Sequence, residues 1–159
     1  MAEHVLDTTV LSSFSHVHRP DLLREALVGA VWTTPSVVAE LRAGERAGAL
    51  PRCDWTWLTQ VELSTSEREL TQALTGQLHG GEAECLAVAL CRSCVFLSDD
   101  MAARRVARWR GAQVSGTLGI LMPLHRQGSL TVVEADALLT TMCARGYRSP
   151  VRSVSALLP

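Results

Sequence analysis

Acidic residues occur at four widely separated places in the chain, each beside the end of an apolar stretch or the start of a helical one. They are Asp7, Glu40, Glu82 with Glu84, and Asp99 with Asp100. Ligands of an open parallel sheet bind beyond the carboxyl ends of its strands, so these carboxylates are expected to converge on one sheet edge. Clustered carboxylates repel one another unless a cation neutralises them. Their hard oxygen atoms suit Mg²⁺ or Mn²⁺, which also accept substrate phosphate as a ligand.

Each acidic residue also has a purely structural interpretation. Asp99 or Asp100 is suited to cap the helix that follows, and Asp7 is suited to cap the segment after its strand. Glu82 and Glu84 lie in a first helical turn, where the helix dipole favours negative charge. Asp7 is the hardest to explain in this way, because the strand before it is expected to be central and buried.

The elements that would position these acids alternate between short apolar strands and helical stretches. Strands are predicted at residues 4–6, 30–33, 55–58, 95–98 and 113–115. Helices are predicted at 35–44, from the capping sequence at 64–66 to about 78, and at 82–92, 101–110, 117–127, 132–145 and 150–157. This alternation indicates an α/β fold with a central, mainly parallel sheet flanked by helices, in a single domain over residues 1–159.

Local signals set the boundaries of several helices. Thr34 followed by Pro35 is typical of a helix start, and Gly44 is typical of a helix end. Serine followed three residues later by glutamate has the spacing of a capping box, and it occurs at 64–67 and at 66–69. Gly80 and Gly81 follow the helix predicted to end at about 78, and they are expected to separate it from the helix at 82–92.

Composition excludes several classes of function. With 47% hydrophobic residues among 159, the chain can build a core, and none of its apolar runs approaches the roughly 18 residues of a membrane span. Its beginning lacks the basic segment of a secretory signal, so a cytoplasmic location is expected. The net charge is −1, unlike that of a protein that coats nucleic acid. All fifteen basic residues are arginine, which excludes any mechanism that needs a lysine.

An arginine-rich helix directly follows the fourth acidic group. Arg104, Arg105 and Arg108 lie within it, and the first and last of these share a helix face because they are four residues apart. Arginine binds phosphate through paired hydrogen bonds, so a local patch of this kind is a candidate nucleic-acid contact despite the net charge. A solvated helix face is the alternative interpretation.

The acidic groups lie in segments that resemble those of PIN-domain nucleases, the family that includes the VapC-type toxins. The segments, in order, are HVLDTTVL at 4–11, TPSVVAEL at 34–41, GEAECLAVA at 81–89, FLSDD at 96–100 with ARRVA at 103–107, and VSGTLGIL at 114–121. The ordered set carries the resemblance, because no single motif is specific. The third segment has glutamate where aspartate is more frequent. Glu82 is preferred over Glu84 as the third acid, and Asp100 over Asp99 as the fourth.

The resemblance implies a ribonuclease that hydrolyses RNA phosphodiesters with Mg²⁺ or Mn²⁺. By this resemblance Asp7 and Asp100 are direct metal ligands, and Asp99 assists them. Glu40 and Glu82 act through water, at a second metal ion or on the attacking water. Thr9 and Ser98 are supporting hydrogen-bond partners, and the RNA contacts are Arg104, Arg105 and Arg108. If the chain is a toxin, a small antitoxin protein would cover the site. A homodimer is also expected.

Two other α/β families place an aspartate after the first strand, and both fit poorly. Haloacid-dehalogenase-like phosphatases have a second aspartate two residues on, where this chain has Thr9, and receiver domains need a lysine. The stronger alternative is a PIN-like module that has no catalytic activity and binds nucleic acid or protein.

Overall fold

A computed structural model describes residues 2–159 and contains one five-stranded parallel sheet. Its strands are β1 (His4–Leu6), β2 (Val31–Thr33), β3 (Thr59–Gln60), β4 (Val95–Leu97) and β5 (Val114–Ser115). They lie in the order β3-β2-β1-β4-β5, so β1 is central, with Val5 paired to Trp32 on one side and to Phe96 on the other. The α/β fold with a parallel sheet is therefore confirmed, and so is the central position of the first strand.

Eight α-helices flank the sheet. They are α1 (Thr8–His16), α2 (Pro20–Ala26), α3 (Pro35–Arg46), α4 (Thr65–Leu74), α5 (Gly80–Arg92), α6 (Met101–Trp109), α7 (Thr117–Arg126) and α8 (Val132–Ala144), followed by a short 3-10 helix at Ser155–Leu157. Helix α5 contacts β1 and packs with α3, α4 and α6, while α7 contacts α2 and α8. No helix within residues 2–159 has both the length and the hydropathy that crossing a bilayer requires.

The core is made by the central strands together with the apolar sides of the helices. Phe14 of α1, Phe96 of β4 and Leu86 of α5 are all fully buried. Between its two ends α5 presents small buried side chains, Ala83, Ala87 and Ala89 among them, which lets it approach the sheet closely. This explains why the sequence of α5 is apolar on nearly every side.

Helix α3 ends two residues later than predicted, at Arg46 instead of Gly44. The chain folds back after the helix, and the amides of Ala49 and Leu50 both donate to the Gly44 carbonyl. A Cβ on Gly44 would lie 2.9 Å from Cδ1 of Leu50, so this glycine permits close packing. The backbone reversal that glycine favours occurs at Gly48 instead, where φ is +72°.

The predicted strand at 55–58 was wrong, because this segment forms a turn and the strand begins at Thr59. The Asp54 carboxylate accepts from the amide of Thr56 at 2.9 Å, and the Leu58 amide donates to the Trp55 carbonyl at 3.0 Å. Asp54 was an unnoticed turn signal, since an aspartate side chain often bonds to the backbone two residues on. Trp55 and Trp57 alternate as residues of a strand do, but both lie in this turn region.

Two further differences from the predictions concern helices. Helix α1 was not predicted, although Val10, Leu11 and Phe14 have helical spacing and are fully buried. The helix predicted at 150–157 is reduced to the 3-10 turn at its end, because Asp136 of α8 accepts hydrogen bonds from the amides at 154 and 155. The capping box at 64–67 forms, and α4 then ends at Leu74.

Candidate active site

Asp7 lies at the carboxyl end of the central strand and is completely buried. Its Oδ1 atom accepts hydrogen bonds from the Thr9 amide at 3.0 Å, the Thr9 hydroxyl at 2.6 Å and the Val10 amide at 3.3 Å. These bonds cap α1, so the structural interpretation of Asp7 is correct as far as Oδ1 is concerned. Its Oδ2 atom is buried and has no hydrogen-bond partner within the described residues.

Burial raises the pKa of Asp7 to about 7. The nearby Ser98 hydroxyl, the Thr9 hydroxyl and the Val10 amide lower the pKa, although Ser98 makes no hydrogen bond of ordinary geometry to Oδ2, and the charge of Asp99 raises it further. A carboxylate that has left water and has one oxygen unpaired is costly to ionise. The site therefore favours either a proton or a cation at Oδ2.

Asp99 lies beside Asp7 and is held by the start of α7. Its two carboxylate oxygens accept from the Thr117 amide at 2.8 Å and from the Thr117 hydroxyl at 2.6 Å. Burial raises the pKa of Asp99, while Thr117 and the charge of Arg104 lower it. Thr9 joins the two aspartates, because its hydroxyl donates to Asp7 and accepts from the Asp99 amide at 2.8 Å. The predicted supporting role of Thr9 thus has a geometric basis.

Gly116 leaves no space for a side chain where α7 begins. A Cβ at this position would lie 2.5 Å from Oδ1 of Asp99 and 2.7 Å from Nη1 of Arg104. Sequence reasoning noted Gly116 and Thr117 only as part of the segment 114–121 and gave neither of them a role at the site. The strand–Gly–Thr pattern was the available signal, since a helix N-terminus beside an acid offers it free amide donors.

Asp100 caps α6 and lies near the third acidic group. Its Oδ1 accepts from the Ala103 amide at 2.8 Å, and its own amide donates to the Ser98 hydroxyl at 3.2 Å. Of the two candidate caps for this helix, the structure thus selects Asp100. Burial raises the pKa of the Glu82 carboxyl, and the nearby charges of Asp100 and Glu40 raise it further. Glu82 therefore belongs to the same electrostatic cluster as Asp100.

Helices α3 and α5 each hold the start of the other through a glutamate. Glu40 of α3 accepts from the Gly81 amide at 3.2 Å, and Glu84 of α5 accepts from the Ser36 amide at 2.9 Å. Thr8 also donates its hydroxyl to Glu40. Gly81 is required here, since a Cβ would lie 2.8 Å from Oε2 of Glu40. We call this arrangement the reciprocal glutamate pair.

The donor set suits a hard cation, and the unpaired Oδ2 of Asp7 is the atom best placed to bind one. The remaining carboxylates are more widely spread. Among residues 2–159, no three acidic, histidine or cysteine side chains are gathered closely enough to hold one metal ion. The predicted acids thus lie at one sheet edge, and each has a capping or bracing role of its own, since Glu82 accepts from the His79 amide at 3.3 Å at the start of α5.

Of the predicted RNA contacts, Arg104 turns inward. Its Nη1 atom donates to the Ser98 carbonyl at 2.7 Å and to the Ser115 carbonyl at 2.8 Å, which ties β4 to β5. Arg105 and Arg108 are exposed on α6. The four-residue spacing of Arg104 and Arg108 therefore does not give them the same function.

Two adjoining clefts lie beside these residues. The acid-side cleft, of about 550 Å³, is bordered by Thr9, Asp99, Asp100, Arg145 and Arg148. The arginine groove, of about 540 Å³, lies between α6, the stretch 114–119 and the stretch 147–150. Sequence reasoning missed Arg145, Tyr147 and Arg148, because they follow the last helix and carry no motif.

The match to a family decides the interpretation of this site. A family model described as a PIN domain matches residues 3–159. The chain belongs to the PIN-domain family. PIN domains are generally nucleases, and they typically use divalent metal ions. Among curated proteins, none matches this chain.

Proposed function

We propose that this PIN domain is a metal-dependent endoribonuclease, with its centre at Asp7. The observation that carries the proposal is the unpaired Oδ2 of Asp7, fully buried at the carboxyl end of the central strand. A buried carboxylate oxygen without a partner is costly, and a bound cation removes that cost. The family match supports the nuclease activity, while the metal and the RNA substrate belong to the proposal.

Asp7 and Asp100 hold the ion directly in this proposal, with Glu82 and Glu40 bound through water or orienting the attacking water. When bound, Mg²⁺ or Mn²⁺ lowers the pKa of a water and stabilises the charge that develops on the phosphodiester. Glu82 is preferred over Glu84 because its carboxyl lies near Asp100, whereas Glu84 is bonded to the start of α3.

The supporting residues keep the acids in place. Thr9 holds Asp7 and the Asp99 backbone together, and the Ser98 hydroxyl accepts from the Asp100 amide. Asp99 assists through its charge, while both of its oxygens are used by α7. Such partners commonly contribute about 10- to 100-fold to metal affinity or activity.

RNA is held by arginines in this proposal. Arg105 and Arg108 are exposed, and within residues 2–159 the only arginines in salt bridges are Arg19 and Arg92. Arg105 and Arg108 are thus free to pair with phosphate, which arginine binds through two parallel hydrogen bonds. A local patch of this kind suffices in a chain of net charge −1.

The test is cleavage of a mixed pool of structured RNAs by the purified chain with Mn²⁺, with Mg²⁺ and with EDTA. Asp7→Asn is compared with Glu69→Gln, which removes an exposed carboxylate of α4. We expect metal-dependent cleavage that Asp7→Asn abolishes and Glu69→Gln retains. Cleavage by a folded Asp7→Asn protein would refute the assignment of the centre.

We further propose that the chain acts in the cytoplasm as the toxin of a toxin–antitoxin pair and forms a homodimer. The ordered set of segments that resembles those of PIN-domain nucleases, the family that includes the VapC-type toxins, supports this role. Expression in bacteria is expected to arrest growth, and Asp7→Asn is expected to relieve the arrest. Sedimentation of the purified chain tests the dimer, and normal growth under expression of the active enzyme would contradict the toxin role.

A second candidate function is a binding module without catalytic activity. It is favoured by the structural use of the acids, since Asp7 and Asp100 cap helices and Glu40 braces α5. The wide spacing of the carboxylates favours it as well. RNA binding that persists in EDTA, together with no cleavage of any RNA when metal is supplied, would identify this function.

A further inference from the structure

The arginine groove has basic residues on two of its walls. Arg108 projects from α6, and Arg148 comes from the segment after α8. Both are exposed, and neither pairs with an acidic residue within the described part of the chain. The one acidic residue that lines the groove is Asp99, whose two oxygens already accept from Thr117. The groove therefore presents net positive charge.

Two glycines line the groove between its arginine walls. A Cβ on Gly116 would meet Asp99, and a Cβ on Gly119 would lie 2.0 Å from the Ser115 hydroxyl oxygen. Neither position accepts a side chain without movement of its neighbours, so the backbone packs closely against them here and itself borders the groove.

The groove continues from the acid-side cleft. Asp99, Met101, Tyr147 and Arg148 line both of them, so Arg148 lies where the two meet. A strand with one phosphate in the acid-side cleft can thus extend into the groove without leaving the protein surface. A volume of about 540 Å³ is in the range of small-ligand pockets, which suits a short length of single strand better than a duplex.

We infer that the arginine groove binds the phosphates of single-stranded RNA next to the scissile bond, with Arg108 and Arg148 as contacts from its two walls. The inference rests on the proposed function and adds a binding subsite to it. Tyr147 stays protonated at neutral pH, because burial and the charge of Asp99 raise its pKa. The Tyr147 side chain therefore adds no negative charge between the two clefts.

The test measures binding of fluorescently labelled single-stranded RNA in EDTA, with the RNA checked for integrity on a gel. Wild type is compared with Arg108→Gln, Arg148→Gln and Arg148→Lys. Arg126→Gln is the matched control, since Arg126 is exposed at the end of α7 and lines neither cleft. Each protein is also tested with a dinucleotide, which is too short to span both clefts.

Each groove variant that loses its charge is expected to weaken binding of the longer RNA about fivefold, as for an exposed ion pair. Each is also expected to lower the slope of log affinity against log salt by about 0.7, the value for one phosphate contact to a single strand. Arg148→Lys keeps its charge and is expected to show the wild-type slope of log affinity against log salt. Arg126→Gln is expected to bind the RNA as wild type does. Wild type is expected to bind the longer RNA more tightly than the dinucleotide, because only the longer RNA reaches both clefts.

Two results would overturn the inference. One is wild-type affinity in both groove variants, which would leave the groove to an acidic protein partner. The other is an equal loss in Arg126→Gln, which would show that only overall charge matters. If the groove variants behave as expected but wild type cleaves no RNA with Mn²⁺, the proposed nuclease fails and the groove inference stands.

Discussion

Replacing Asp7 with asparagine tests the electrostatics of the site separately from its catalysis. The pKa of Asp7 is about 7 in the folded chain, against an ordinary value of 3.8. The folded state therefore binds more protons than the unfolded state between these values, and the free energy of unfolding falls as the pH rises. Asparagine does not titrate, so the variant lacks this loss.

The magnitude follows from proton linkage. Between pH 5 and pH 8, without metal, ionisation of Asp7 costs the wild type roughly 2.5 kcal/mol of unfolding free energy. The difference between Asp7→Asn and wild type is expected to grow by that amount over the same range. Any cost of the amide that does not depend on pH cancels, because only the change with pH is compared. All other titrating groups are shared by the two proteins and also cancel to first order.

The assay is urea unfolding of both proteins in EDTA at pH 5, 6, 7 and 8, which bracket the pKa of about 7. A second series at pH 8 contains Mn²⁺. Bound ion at 100 times its dissociation constant stabilises a folded protein by about 2.7 kcal/mol, and this gain is expected in wild type and not in Asp7→Asn. A difference independent of pH would refute the raised pKa, and equal stabilisation by Mn²⁺ would refute metal binding at Asp7.

Three further predictions concern other parts of the structure. Glu82→Gln is expected to lower the rate of RNA cleavage about 10- to 100-fold and Glu84→Gln to lower it less, and a reversed order would move the third acid by two residues. Gly116→Ala is expected to lower the free energy of unfolding by about 1–3 kcal/mol, because the new Cβ overlaps Asp99, and unchanged urea unfolding would contradict this. Trp109 is 82% exposed, so Trp109→Ala is expected to change the free energy of unfolding by less than about 0.5 kcal/mol. A larger loss of stability in thermal unfolding would indicate that a second copy of the chain covers Trp109.

The parts of the fold that follow from local signals could be predicted from the sequence. Strand–helix alternation predicted the parallel sheet, and the acids after two apolar runs predicted a capping Asp7 and left Asp99 and Asp100 as alternative caps of α6. The segment 55–58 could not be predicted correctly, because a turn stabilised by Asp54 and a strand have the same alternating pattern. The helix predicted at 150–157 failed because a distant residue, Asp136, holds that backbone in another conformation.

The sequence indicated which acidic residues approach one sheet edge, but it indicated neither their hydrogen-bond partners nor the residues after α8 that line the clefts. Spacing alone suggested that Arg104 faces outward with Arg108, yet two carbonyls from neighbouring strand ends hold Arg104 in place. The sequence analysis preferred Glu82 to Glu84 only through the resemblance, and the structure adds that Glu84 accepts from the Ser36 amide of α3 whereas Glu82 accepts from the His79 amide before α5. Arg148 reaches the site through the path of the chain after α8, which no local pattern encodes.

The reciprocal glutamate pair has a consequence for motion. Because α3 and α5 each supply the acceptor for the other's first turn, unfolding of either helix as far as its glutamate also breaks the bond that holds the start of its partner. The amides of Ser36 and Gly81 should therefore exchange with deuterium as one cooperative unit. Opening of that unit releases Glu40 from the sheet edge. The gathering of the acidic side chains is therefore coupled to local unfolding of the two helices.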